Sequence, residues 1–169
     1  FAVVPCSLLQ WSDFSAERRR LVVVDAAPDG TPEQAGADAF ARWQPLGTNG
    51  WLLNWRDRAT GGAGEATLPR VSTGQLTNAA LALVTGARLR RAPADMAHAL
   101  ANWRPDGIRG AWWEVAGRRW YVDCYNASPV SLVDAAECFD GQCPASAGPR
   151  VWIIGTLGEL GQDAVKLHE

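Results

Sequence analysis

Three of the four cysteines in this 169-residue chain, Cys124, Cys138 and Cys143, fall within twenty positions near its C-terminal end, and Cys6 lies near the other. An even count at close spacing is the pattern of a domain cross-linked in an oxidising compartment. In the chain-entropy account each bridge adds roughly 2–4 kcal/mol. Cys138 and Cys143 enclose an Asp140-Gly141 turn, Cys124 pairs equally well with either, and Cys6 takes the remainder. Four cysteines allow three pairings, and the sequence does not choose among them. The expectation is an extracytoplasmic protein (periplasmic, cell-surface or secreted) with a disulfide-stapled C-terminal region. Zinc sites use similar gaps between cysteines, but no second close pair of Cys or His is present, so neither a metal nor a cofactor is expected.

The bulk numbers narrow the class further. The length fits a single domain over 1–169 with a core of its own. The net charge of −2 argues against broad binding to nucleic acid or anionic lipid. The apolar runs Leu21–Val24 and Val151–Ile154 are far too short to cross a bilayer. A chain that opens at Phe1 rather than Met fits removal of a signal peptide.

Helix signals are well marked. Asp13–Arg20 suits a brief first helix. Thr31-Pro32-Glu33-Gln34 combines a capping residue, a first-turn proline and a glutamine three residues on, and Ala35, Ala39, Phe40 and Trp43 then share one helical face. Ser72 and Gln75 repeat the capping arrangement ahead of Leu76, Ala79, Ala80, Leu83 and Val84, with Gly86 as the exit. Pro93 opens a helix with Met96, Leu100 and Trp103 on a buried stripe, and Ser128-Pro129 opens another that runs towards Cys138.

Strands are expected at 21–24, at 51–55 after an Asn49-Gly50 turn, and at 151–154. A hairpin pairs 111–115 with 119–125 around Ala116-Gly117. Its alternation puts Ala111, Trp113, Val115, Trp120, Val122 and Cys124 on a core face, and Trp112, Glu114, Arg119, Tyr121, Asp123 and Tyr125 on a ligand-facing one. The fold class is therefore α+β, a mostly antiparallel sheet with three to five helices packed on one side.

Nine tryptophans exceed what such a core requires. Exposed indoles give rigid contact area to a protein partner or stack on sugar rings. Trp112, Glu114, Arg119, Tyr121 and Tyr125 are accordingly the candidate binding surface. The function expected is a structural or binding subunit of a cell-surface or envelope assembly, contacting a protein partner or another copy of itself, with a glycan as the alternative ligand. A thiol enzyme is the competing class. Pro5-Cys6-Ser7-Leu8-Leu9-Gln10-Trp11 resembles the nucleophile segment of the NlpC family of cell-wall peptidases, which implies an amidase or peptidase with Cys6 activated at a helix start. That family's histidine has no counterpart in the 111–125 hairpin, which leaves His98 as the base.

Overall fold

The computed structural model describes every residue except 49, 145, 147, 159–161, 163 and 169, and for 167 and 168 the backbone alone. Asn49 of the expected Asn-Gly turn lies outside the described residues. Length favours one domain, but the chain divides into two compact units, 1–70 with 75–103 and 71–74 with 104–169.

The first unit is built on a five-stranded sheet in the order β1-β2-β3-β4-β5, comprising β1 (Ala2–Pro5), β2 (Leu21–Pro28), β3 (Ala39–Leu46), β4 (Gly50–Asp57) and β5 (Ala63–Pro69). β1, β2 and β3 are parallel neighbours, whereas β3, β4 and β5 run antiparallel. The sheet is thus mixed, which corrects the mostly antiparallel expectation. α1 (Ser12–Ala16), flanked by two 3₁₀ turns, fills the crossover between the first two strands. Val22, Val23, Val24 and Asp25 are all buried, as strands covered on both faces require. In β4 alternate residues are buried from Leu53 on: Leu53, Trp55 and Asp57 are, while Arg56 is exposed. This is the pattern of a strand wet on one side.

Two helices complete the unit. α2 (Thr73–Arg88) buries Leu76, Ala79, Ala80, Leu83, Val84 and Ala87, the stripe its spacing predicts. α3 (Pro93–Asn102) packs against β5, with Met96 seated where Gly86 of α2 has no side chain. A Cβ on Gly86 would lie 2.2 Å from the Met96 sulfur, so this glycine serves close helix packing.

The expected helix over Thr31–Trp43 does not form. The backbone amide of Gln34 donates to Asp25 Oδ2 at 2.8 Å, and Glu33 pairs with Arg56 and Arg58. The cap-like residues are consumed in tying down a crossover loop. Ala39, Phe40, Ala41 and Trp43 are buried as a strand instead.

The second unit contains a two-stranded hairpin, β6 (Arg109–Val115) and β7 (Arg118–Asp123), followed by α4 (Pro129–Gln142) and α5 (Ala164–His168). Ser128 caps α4 in a reciprocal capping box with Ser131. Val151–Ile154 forms no strand, and its four side chains are 43–81 % exposed.

All four cysteines are free thiols, so the disulfide-stapled C-terminal region is not borne out. Helix geometry explains the most compact of the expected pairings. Cys138 lies within α4 and Cys143 is its C-cap. Five residues of helix rise about 7.5 Å, beyond what a disulfide spans.

Candidate functional site

The hairpin's aromatic pairs lie opposite to the reading by alternation, although Ala111 is buried and Glu114 and Arg119 are exposed as that reading has them. Trp113 and Trp120, opposite each other in the ladder, are 43 % and 41 % exposed, and Val115 and Cys124 are exposed too. Trp112 and Tyr121 form the packed side. Their ring centroids are 5.1 Å apart, Phe139 of α4 stacks on Trp112 at 6.0 Å, and Trp152 meets Phe139 edge-on at 4.7 Å. Burial and the neighbouring Cys138 push the Tyr121 hydroxyl's pKa far above its ordinary value. Alternation states that two faces differ; it does not state which one the following helix covers. Glu114 and Arg119 are exposed cross-strand partners, with the Arg119 guanidinium 4.4 Å over the Trp112 ring.

Tyr125 belongs to a different environment from Trp112 and Tyr121. A bulge between Arg109 and Ala111, made by Gly110 at φ 69°, re-aims the start of β6. The Arg109 guanidinium lies 3.6 Å from the centroid of the Tyr125 ring, while Tyr125 itself is 62 % exposed. One aromatic ring is therefore held by a cation and open to solvent.

The backbone amide of Cys124 donates to the Ile108 carbonyl at 2.9 Å, carrying the pairing one step beyond β7. Asp123 terminates that strand. Its carboxyl is shifted above its ordinary value by burial and then by Asp134, with Arg109 opposing. The Asp123–Ser128 segment is thus a strand end, an aromatic platform and a capped helix start in succession. That order brings the polar side chains of Asp123, Asn126 and Ser128 into one short stretch of chain.

Cys6 and His98 are not brought together. Cys6 follows β1 at one edge of the five-stranded sheet, and α3, which carries His98, packs on β5 at the other. Four strand spacings separate the edges by roughly 19 Å. The Cys6 thiol is pushed up to about 11 by burial, then by Asp25, so it is protonated near neutrality. His98 is exposed and neighbours Asn102 on its own helix. The thiol-peptidase reading is withdrawn. Among the described residues no cluster of His, Cys, Asp or Glu could hold a metal ion.

Asp25 and Asp57 look reactive by position but are spent structurally. Asp25 pairs with Arg42 at 2.6 Å, and Asp57 pairs with Arg88 while accepting from the Ala59 amide at 2.9 Å.

No protein-family model matches the sequence, and no curated protein matches it either. Solved structures do. MurF from Acinetobacter baumannii superposes with a TM-score of 0.70 at 24 % identity, over 98 % of this chain and 34 % of that one. A second Acinetobacter baumannii structure, of UDP-N-acetylmuramoylalanyl-D-glutamyl-2,6-diaminopimelate--D-alanyl-D-alanyl ligase, gives 0.60 at 22 %, over 83 % and 29 %. The Thermotoga maritima MurF ligase in complex with ADP gives 0.67 at 19 %, over 98 % and 36 %. A fold shared with ligases overturns the expected envelope or cell-surface binding subunit, and with the thiols free it also removes the grounds for an extracytoplasmic location. Among the described residues no helix is long and apolar enough to cross a membrane. This chain has the fold of about a third of a MurF ligase.

Proposed function

We propose that this chain is part of a MurF-type ligase and that its Asp123–Ser128 segment receives the adenine nucleotide. The observation that carries the reading is a fold likeness spanning 98 % of the chain, to structures one of which holds ADP. The exposed face of Tyr125 offers stacking area to a base. Arg109 supplies positive charge beside it, and the Asp123 carboxylate and the Asn126 side chain supply hydrogen-bonding groups for a ribose or base edge.

The sequence contains no Gly-rich loop ending in Lys-Ser or Lys-Thr. On this reading the phosphates are gripped by residues beyond these 169, as the threefold greater length of the similar ligases allows. An ADP-forming ligase moves the terminal phosphoryl group of ATP to a carboxylate, and the incoming amine then displaces phosphate to form the amide. The Acinetobacter enzyme's name supplies the two partners, a muramoyl-peptide carboxylate and D-alanyl-D-alanine.

The test is ADP formation by the protein that carries this chain, with the UDP-muramoyl peptide and D-alanyl-D-alanine each present or withheld. Turnover that requires both substrates is expected. Absence of turnover, or turnover indifferent to both, would sink the reading.

A further inference from the structure

Asp134 sits in the second turn of α4, on the helix that follows the Asp123–Ser128 segment. Its carboxylate takes three hydrogen bonds from the first two residues of α2, which belong with the second unit. Oδ1 accepts from the Thr73 amide at 2.9 Å and from the Thr73 hydroxyl, and Oδ2 accepts from the Gly74 amide at 3.0 Å. Opening helix amides have no partner within their own helix, and the dipole there favours negative charge. Asp134 satisfies them from a residue 60 positions away.

A second observation concerns Gly74. A Cβ there would stand 2.8 Å from Asp134 Oδ2, closer than real Cβ atoms come. The bare glycine is what admits the carboxylate. From Asp134 the constraint passes back along α4 by covalent and hydrogen-bonded steps. The Leu132 amide donates to the Ser128 carbonyl at 2.9 Å, and Ser128 and Ser131 close the capping box. Ser128 is the last residue of the loop that carries Tyr125 and Asn126.

We propose that Asp134 is a positioning residue, whose hold on Thr73 and Gly74 fixes the first turn of α4 and sets the Asp123–Ser128 segment in its nucleotide-receiving conformation. This rests on the reading above, because the segment's ligand is taken from it. Asp134 touches no ligand itself, so removing it changes the geometry of the loop and leaves its chemistry intact.

ADP titrated onto the protein, with Asp134→Ala, Gly74→Ala and the double variant each shown to be folded by near-ultraviolet circular dichroism, tests the assignment. Each single variant is expected to lose about tenfold in ADP affinity, and the double variant no more than either alone, since both remove one contact. Gly74→Ala is the sharper arm, because alanine raises intrinsic helix propensity and without the latch would be neutral or stabilising. Should Asp134→Ala not fold, Asp134→Asn, which retains one accepting oxygen, takes its place with a loss of about threefold.

Unchanged affinity in either single variant, or additive losses in the double, overturns the proposal. A wild-type protein that binds no ADP sinks the ligase reading, and the latch is then judged by amide hydrogen exchange. Joint loss of protection at Thr73, Gly74 and Leu132 in Asp134→Ala supports it, and unaltered exchange there overturns it.

Discussion

Asp57 is 2 % exposed and ionic, a combination tolerated only when the charge is paired and hydrogen-bonded. Arg88 supplies the pairing from the last turn of α2, with Nη2 2.8 Å from Oδ1. Replacing it by an isosteric neutral residue leaves an uncompensated buried carboxylate, so Arg88→Met is expected to cost about 3–5 kcal/mol in a urea titration followed at pH 7. None of this could be read from the sequence. Arg88 stands there close to Arg90 and Arg91 with nothing to single it out, and its partner is 31 positions away.

Cys6 makes a pH prediction of the opposite kind. Its thiol ionises near 9.0 in the unfolded chain and near 11 in the folded one, so the folded state holds the proton longer. Its contribution to stability is complete below pH 9 and is lost as pH rises towards 11. The urea midpoint should fall between pH 8 and pH 10.5 in the wild type, and fall less in Cys6→Ala. Equal declines would exclude Cys6 as the cause. Asp123 offers a third check at this scale. Because Asp134 helps hold its carboxyl high, Asp134→Asn should lower the Asp123 titration midpoint as followed by NMR.

At the scale of elements, the segments legible in the sequence were those whose local and long-range demands agree. α2 carries a regular apolar stripe, α3 a first-turn proline and α4 a serine cap with proline behind it, and each formed. The 31–43 segment failed because its capping groups answer to Asp25, Arg56 and Arg58 rather than to a helix. β1 and β5 show no alternation that marks a strand: Ala2–Pro5 is too short to show a period, and Ala63–Pro69 follows Gly61-Gly62 and holds Gly64 as its second residue.

The hairpin turn was found from Ala116-Gly117, and it is strained. Both residues have positive φ, 51° and 70°, as a two-residue turn of this hand requires. Alanine resists that conformation, whereas asparagine tolerates it. Ala116→Asn is expected to stabilise the second unit by about 0.5–1 kcal/mol, read as a higher denaturation midpoint. No gain would place the turn's stability elsewhere, for instance in the Trp113–Trp120 pair across the ladder.

For the whole molecule, the crowding of cysteines proved the least informative sequence signal. Four cysteines suggested a secreted, stapled domain, yet they are spread over a strand exit, a loop and one helix with its cap, where no pairing constrains them. The candidate site was half legible: Tyr125 was picked out as a surface aromatic, but the bulge at Gly110 that brings Arg109 onto its ring depends on ladder register. If the proposed nucleotide site grips base and ribose through Tyr125, Asp123 and Asn126, with no phosphate loop in the same 169 residues, it gains little from a second phosphate. AMP and ADP should therefore bind the chain with affinities within about threefold of each other, where a P-loop's backbone amides would favour the diphosphate strongly. Calorimetric titration of both nucleotides settles the point. A large preference for ADP would mean that these residues cradle phosphate directly, with Arg109 the first side chain to test, whereas equal and Tyr125-dependent affinities place the base and ribose here and the phosphates on the rest of the protein.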